Sequence, residues 1–306
     1  MTAAELIAAC RRWLNDEVAA TYKWTEAEMV DYFNNCMDQI ARETDYFQDA
    51  TTTLLTEIAL TAGTGDYAFD ARFLYVVSAR VSGQTIDLIQ TNHHQRKEDS
   101  ATWRYDHSVS GVDIVLDTSA ITSTTTDFID AGFYDGCFIQ ITGSATSANN
   151  KTVKVDTVAQ YSLTLNASYT LTPRVAGDRL ILKQITVGTP LRYMTDYRQG
   201  YITLDPAPDE NGSLLLTVYR LQDTPLTTAL VATPGTWIIP INFQYHLQLI
   251  DGILAKCYMK SGPSTFNIEK SKIHQADFNT LKDRIKRDMI KAQRHNIVLS
   301  PPNGAM

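Results

Sequence analysis

The sequence predicts an α+β protein. An N-terminal helical hairpin and C-terminal helices are expected to form a helical bundle, and a central antiparallel β region is expected to carry an inserted small β-barrel or sandwich module. Apolar residues recur with helical period before residue 50 and again after residue 240. Between these segments the period changes to two, and Thr, Val and Ile become frequent. Within the β region, residues 107–188 contain no Glu and only five Lys or Arg, which indicates a separate module.

The N-terminal residues predict two helices joined as a hairpin. The segment AAELIAACRRWL is amphipathic, and its inner side carries Leu6, Ile7, Cys10 and Leu14. The second helix begins after Thr25, an N-cap residue whose capping-box partner is Glu28. Its inner stripe comprises Met29, Phe33, Cys36, Met37, Ile40, Thr44 and Phe47. We expect the aromatic residues here in a hydrophobic core and not in a ligand cage.

Residues after 51 predict the β region. TTTLLTEIALTAGTGDYAF and FLYVVSARVSGQTIDL alternate between apolar and polar residues and are broken by Gly-containing turns. The alternation returns in LRYMTDYRQGYITLDPAPDENGSLLLTVYRL, where DPAPDENG is a turn between two strands. The turn signals DAGFYDG, TGSATSANN and PRVAGD divide the intervening residues into short strands. We therefore predict one domain formed by 1–106 and 189–306, interrupted by an inserted β domain at 107–188.

The C-terminal residues predict two further helices. PINFQYHLQLIDGILAKCYMKSG stops at Gly262-Pro263, and its apolar stripe comprises Phe243, Leu247, Ile250, Leu254, Cys257 and Tyr258. The following helix carries Ile273, Phe278, Leu281, Ile285, Met289 and Ala292. NIVLSPPNGAM is expected to be an extended arm. Short amphipathic helices are marginal alone, so we expect these apolar faces to be covered by each other or by neighbouring copies.

Composition and motifs argue against an enzyme. The chain contains no H-E-x-x-H, G-x-S-x-G or G-x-x-x-x-G-K-[ST] motif. His93 and His94 lie in the polar stretch TNHHQRKEDS, which we expect to be a solvated loop and not a metal site. The cysteines are far apart and lack a C-x-x-C pair, so neither a zinc site nor a disulfide framework is predicted for Cys10, Cys36, Cys137 and Cys257. The sequence predicts no catalytic residues, no metal and no cofactor.

Charge and hydropathy limit the partners. The formal charge of −7 argues against a general nucleic-acid-binding protein. No signal peptide and no apolar run long enough to cross a membrane is apparent, so we expect a soluble protein made in a cytosol. The last helix is the exception in charge: between Glu269 and His295 it has eight Lys or Arg against four acids. We rank docking on an acidic partner first, a solvated face second and contact with DNA phosphates third.

Two motifs carry a family resemblance. WTEAEMVDYFNN, at residues 24–35, fits the pattern W-[ST]-x-x-E-hydrophobic-x-x-[YF]-[LF]-N, and IPINFQYHL at 239–247 is the second anchor. Together with the helix–β–helix order over 1–106 and 189–296, they resemble the head-to-tail adaptor, or connector, proteins of tailed bacteriophages. The insertion is similar to a small β module of phage virion proteins and lies outside the minimal adaptor pattern.

This resemblance implies a structural virion protein without catalysis, located in the neck or tail and assembled in the host cytoplasm. Adaptor subunits form a homo-oligomeric ring, usually a dodecamer, under the portal. The helical part and C-terminal segment grip the portal protein, the β part faces the tail tube, nozzle or fibre, and genomic DNA passes non-specifically through the centre. No membrane contact is implied. The predicted portal or subunit interface consists of Trp24, Tyr32, Phe33, Tyr245, Lys282, Lys286, Arg287, Lys291 and Arg294.

An alternative function places the activity in the insertion. A virion protein that binds a receptor, a glycan or a tail fibre would use solvent-exposed aromatic side chains on the β module. The candidates in the sequence are Phe133, Tyr134, Tyr161 and Tyr169. A loop that only decorates the particle is the simpler explanation of the insertion.

Overall fold

A computed structural model describes residues 1–18, 22–99, 105–174, 177, 179–233, 237–262 and 265–295. The predicted arm at 296–306 lies outside the described residues, as do the side chains of Ala292 and Arg294. The chain divides into two compact units. Unit 1 comprises Met1–Asp49, Arg72–Tyr75 and Val218–Met306, and unit 2 comprises Ala50–Ala71 and Val76–Thr217. The inserted domain at 107–188 is part of unit 2, and its boundaries stay a prediction.

The helices of unit 1 are α1, α2, α5, α6 and α7, and those of unit 2 are α3 and α4. Their bounds are α1 (Ala3–Leu14), α2 (Glu26–Thr44), α3 (Thr53–Thr56), α4 (His93–Asp99), α5 (Thr228–Ala232), α6 (His246–Cys257) and α7 (Ile268–His295). The loop expected around His93 and His94 is in fact α4. Asn92 Oδ1 accepts from the Gln95 backbone N–H at 2.6 Å and so caps the first turn, a local bond that the polarity of the stretch concealed.

The strands in chain order are β1 (Gln48–Asp49), β2 (Glu57–Leu60), β3 (Asp66–Ala68), β4 (Phe73–Val81), β5 (Ile89–Gln90), β6 (Tyr105–Gly111), β7 (Val115–Leu116), β8 (Ala120–Thr122), β9 (Phe138–Thr142), β10 (Thr152–Ala159), β11 (Ser162–Leu165), β12 (Leu180–Ile185), β13 (Arg192–Met194), β14 (Tyr201–Asp205) and β15 (Gly212–Arg220). One sheet has the order β1-β15-β2, with β4 also paired to β15, and a second has the order β3-β14-β13-β5. The pair β13–β5 is parallel, which the prediction of an antiparallel region did not include.

Unit 1 is built around one hydrophobic core shared by α1, α2, α6 and α7. The predicted inner residues of the first two helices are buried in it, among them Leu6, Cys10, Phe33 and Ile40. The predicted capping box is present: the Glu28 backbone N–H donates to Thr25 Oγ1 at 3.2 Å, and the Thr25 backbone N–H donates to Glu28 Oε2 at 2.8 Å. Of the two coverings expected for these faces, burial against other helices of the same chain, and not against a neighbouring copy, holds for the stripes of α1 and α2.

Close packing of α6 explains how four helices share this core. A Cβ added at Gly252 would lie 2.8 Å from Cys36 Sγ of α2 and 2.8 Å from Phe278 Cδ2 of α7. Since such contacts are too short for real side chains, only glycine allows α6 to approach both neighbours here. The predicted stripes of α6 and α7 are buried at Ile250, Leu254 and Cys257 and at Phe278, Leu281 and Ile285.

Unit 2 contains the β module predicted at the insertion. Its seven-stranded sheet has the order β6-β12-β9-β10-β11-β8-β7, and the pairs along it are antiparallel. The module has its own apolar core, to which buried side chains such as Ile121, Ile139, Leu163 and Leu182 contribute. Of the two forms expected for this module, a barrel or a sandwich, the barrel is wrong: within the described residues the outer strands β6 and β7 do not pair with each other. A period of two places alternate side chains in a core but does not decide whether the sheet closes.

Candidate functional site

Four of the predicted interface residues are buried in unit 1. Phe33 is buried, and Trp24 is buried with its indole N–H donating to the Cys257 backbone oxygen at 3.0 Å. The buried Tyr245 donates its hydroxyl to Asp288 Oδ2 at 2.8 Å, and the buried Lys282 reaches Glu43 Oε2 at 2.6 Å. These four side chains have their partners within their own chain, and their interface role stays a prediction.

Of the other predicted interface residues, those whose side chains the structure describes lie at the surface. Tyr32 is half-buried beside a shallow cleft of about 410 Å³ that Met259 also lines. Lys286, Arg287 and Lys291 are exposed on α7. Their interface role stays a prediction. The basic face is partly neutralised by its own helix, since Asp288 Oδ2 lies 4.0 Å from Arg284 Nε and Asp288 Oδ1 lies 3.9 Å from Lys291 Nζ.

Two residues of the predicted apolar stripe of α6 are exposed at the surface of unit 1. Phe243 and Leu247 belong to the predicted stripe of α6, yet they are 80% and 67% exposed. Phe243 lies just before α6, and Leu247 lies one turn later in the first turn of the helix. Both continue the line of the buried Ile250 and Leu254. We call this pair the uncovered stripe end. Helical period gives the direction of a side chain around the axis but not how far along the axis neighbouring helices extend.

A cluster of ligand-type side chains joins α6 to α7. Asp251, His274 and Asp277 bring donor atoms within 4.8 Å of one another, the one such group found among the described residues. His274 Nδ1 lies 2.9 Å from Asp251 Oδ1, and the imidazole stacks on Tyr258 with ring centroids 5.6 Å apart and an interplanar angle of 11°. Both ring contacts are with residues at α6, so this cluster serves as an interhelical contact.

The β module presents a second surface, formed by the loop 127–135 and the turn between β10 and β11. Tyr134 and Tyr161 are half exposed there, and Ile129 is exposed beside them. Of the other aromatic candidates, Phe133 is buried and Tyr169 packs against the module core. We call the exposed set, Ile129, Tyr134 and Tyr161 with the carboxylates of Asp127, Asp130 and Asp135, the module tip.

Hydrogen bonds join the two loops of the module tip. The Phe128 backbone N–H donates to the Gln160 oxygen at 2.8 Å, and the Val158 backbone N–H donates to Asp135 Oδ1 at 2.6 Å. Gln160 Nε2 donates to Asp127 Oδ2 at 2.9 Å. The pKa of Asp127 lies below its ordinary value, first because the Asp130 backbone N–H donates to it and further because of Gln160. The tip thus presents apolar side chains and anionic carboxylates on connected loops.

Among the described residues, no helix combines the length and the apolar character that crossing a membrane requires. The uncovered stripe end, the exposed basic residues of α7 and the module tip are features typical of a protein that assembles with other macromolecules. The chain belongs to the SU10 adaptor protein family, whose model matches residues 1–136 and 138–299. The comparison with curated proteins yields no match.

Family membership confirms the predicted resemblance to phage head-to-tail adaptors. The match also runs through residues 107–188, so the β module lies within the family pattern and is not an addition foreign to it. A phage adaptor has a structural role in the virion neck and interacts with portal and tail proteins. Adaptor families are generally non-enzymatic.

Proposed function

We propose that this chain forms a closed homo-oligomeric ring that joins the portal to the tail and surrounds the path of the exiting genome. Twelve copies is the number that the family resemblance implies. The observation that carries the proposal, beside family membership, is the uncovered stripe end at Phe243 and Leu247. A ring needs a heterologous contact in which different surfaces of successive copies meet.

The energy of that contact comes from the two exposed side chains. Burying a Phe or Leu side chain fully stabilises a complex by about 1.5–3 kcal/mol. Phe243 and Leu247 continue a stripe whose buried part is already packed, so a neighbour that covers them extends an existing core. The proposed contact between copies is therefore limited to the exposed end of this stripe.

The portal contact is assigned to the exposed basic face of α7. Lys286 and Arg287 point into solvent on a helix whose buried side holds the core residues Phe278, Leu281 and Ile285. A rigid helix with an exposed cationic face suits an acidic collar, where complementary charge raises the association rate and selects the partner. The formal charge of −7 suits a channel wall along which DNA passes without binding.

The ring proposal is tested with Phe243→Asp combined with Leu247→Asp. Light scattering and negative-stain microscopy, with purified portal present, are expected to show rings for the parent chain and monomers for the double variant. The control is Leu54→Asp, which introduces one aspartate at a fully solvated leucine. A parent chain that stays monomeric with portal, or a double variant that still forms rings, contradicts the proposal.

The portal contact is tested separately with Lys286→Glu combined with Arg287→Glu. We expect weaker association with the portal, the loss being largest at low salt, while ring formation is retained. Lys183→Glu combined with Arg179→Glu changes the charge equally in the β module and serves as the control. Equal losses in the two double variants contradict the assignment.

A second candidate function uses the module tip. The half-exposed Tyr134 and Tyr161, which lie on hydrogen-bonded loops, favour binding of a receptor, a glycan or a tail fibre. Tyr134→Ala combined with Tyr161→Ala is expected to reduce host adsorption or fibre attachment while rings and DNA packaging persist. Particles with normal fibres and normal adsorption contradict this second function and leave the module with a decorative role.

A further inference from the structure

Unit 2 contains an apolar groove that the proposed ring and portal contacts do not use. Its volume is about 510 Å³, within the range of ligand-binding pockets. The walls are the loop from Gly83 to Ile89 and the residues Pro190 to Arg192. Ile86 is 77% exposed, and Ile89 and Leu191 are also exposed. Three large aliphatic side chains clustered around one groove form an exposed apolar patch, and such patches mark interaction sites.

One side of the groove is an open sheet edge. In the described residues β5 is the outer strand of the sheet β3-β14-β13-β5. The backbone N–H groups of Ile89 and Thr91 donate to β13, at 2.9 Å to the Leu191 oxygen and 3.0 Å to the Tyr193 oxygen. Because successive residues of a strand alternate in direction, the peptide groups of Gln90 face away from β13. Such an edge pairs with an added extended segment.

The chain itself contains a segment with the matching chemistry. The described residues end at His295, the last residue of α7, and eleven residues follow. NIVLSPPNGAM begins with Ile-Val-Leu, a run with high strand propensity, and the prolines at 301 and 302 then limit further pairing. The segment has no charged side chain, as an apolar groove requires. Fully extended, it reaches roughly 36 Å beyond the helix.

We propose that residues 296–306 of a neighbouring copy bind in this groove, with 297–299 adding a strand beside β5, in place of the portal contact that the family resemblance implies for the C-terminal segment. The inference rests on the proposed ring: each copy has one groove and one segment, so donation in one direction around a ring fills every groove. Because the side chains of a strand alternate, Ile297 and Leu299 of the added strand face the groove and are covered by Ile86, Ile89 and Leu191. The segment therefore serves as a subunit-to-subunit strap.

Disulfide trapping between two different chains tests the proposal. Ile297→Cys is introduced in one full-length chain and Ile86→Cys in another, and the two are mixed and oxidised. The native cysteines do not interfere, because all four are buried and free. We expect a disulfide-linked heterodimer on a non-reducing gel, with a yield at least tenfold above that of the Ile297→Cys chain mixed with a Leu54→Cys chain. Leu54 is 94% exposed and does not line the groove.

The remaining outcomes decide between alternatives. Adding Leu299→Asp to the Ile297→Cys chain is expected to remove the excess yield, since a carboxylate does not enter the apolar groove. Equal yields for Ile86→Cys and Leu54→Cys overturn the proposal. So does linkage within a single chain carrying both cysteines when the mixed chains fail to link. Rings of the parent chain without the trapped heterodimer reject only the strap, whereas a parent chain that stays monomeric with portal rejects the ring.

Discussion

Lys282 and Glu43 form an ion pair between α7 and α2, with Lys282 Nζ 2.6 Å from Glu43 Oε2. The lysine side chain is almost fully buried, whereas the glutamate is half exposed. Lys282 Nζ also lies 5.2 Å from the centre of the Phe278 ring. The basic helix therefore contributes one of its lysines to the fold of its own chain, and the proposed portal contact involves the residues that follow.

Removing the acid of this pair is expected to destabilise unit 1. Glu43→Gln leaves a buried ammonium with a weaker acceptor, and we expect a loss of about 1–2 kcal/mol, reduced from the value for a fully buried pair because Glu43 is half exposed. Urea unfolding monitored by circular dichroism measures it. Asp31→Asn, on the exposed side of the same helix, is expected to change stability by less than about 0.5 kcal/mol. Equal effects of the two substitutions would show that the ion pair adds no stability.

The buried pair Arg11–Asp16 predicts a larger effect. Arg11 Nη1 donates to Asp16 Oδ2 and to the Trp24 oxygen, both at 3.1 Å, and Asp16 Oδ1 accepts from the Lys23 backbone N–H at 2.8 Å. Asp16→Asn leaves a buried guanidinium without its counter-charge, so we expect a loss of about 3 kcal/mol. Chemical denaturation tests this against Glu17→Gln, the adjacent exposed acid, which is expected to be neutral. A loss below 1 kcal/mol for Asp16→Asn would contradict the assigned role.

Gly252 predicts an exception to helix propensity. Alanine is favoured over glycine within a helix by about 1 kcal/mol. The added methyl group at this position would nevertheless meet Cys36 Sγ and Phe278, and overpacking costs about 1–3 kcal/mol. Gly252→Ala is therefore expected to lower the melting temperature. Gly212→Ala, where a Cβ meets nothing within 4 Å, is the control and is expected to leave it unchanged. A more stable Gly252→Ala variant would contradict the close approach of the helices.

The core thiols predict the response to alkaline pH. Burial raises the pKa of Cys36 and Cys257 from 9.0 to about 12, with the charge of Cys36 contributing further at Cys257. Between pH 9 and 12 the unfolded chain releases these protons and the folded chain keeps them, so stability falls as pH rises. Each thiol contributes a slope of up to about 1.4 kcal/mol per pH unit.

This slope is measured by urea unfolding at several pH values above 9. Cys36→Ala combined with Cys257→Ala is expected to flatten the decline, whatever its effect on stability at pH 7. Val30→Ala removes volume from the same core without a titrating group and is expected to preserve the slope. Identical slopes in the parent and the double cysteine variant would contradict the contribution of the thiols.

Local signals in the sequence were sufficient to predict where α2 starts. Thr25 and Glu28 form their capping box through bonds within one turn, so no distant residue is needed to decide it. The period of the apolar residues likewise identified the buried sides of α1 and α2. The same period did not predict that Phe243 and Leu247 are exposed, because the burial of a stripe depends on where the neighbouring helices end. It also failed to distinguish Trp24 and Tyr245 as core residues from interface residues, since both have apolar rings and a polar atom that a buried partner satisfies.

The sequence by itself determined the order of helical and β segments, the helix start at Thr25, the basic character of the last helix and the resemblance to adaptor proteins. Each of these depends on neighbouring residues or on a linear pattern. The tertiary structure decided which apolar residues stay exposed, that Lys282 pairs with Glu43, that the β module is an open sheet, and that Ile86, Ile89 and Leu191 surround one groove. Those outcomes depend on contacts between residues far apart in the chain, which local propensity and periodicity do not encode.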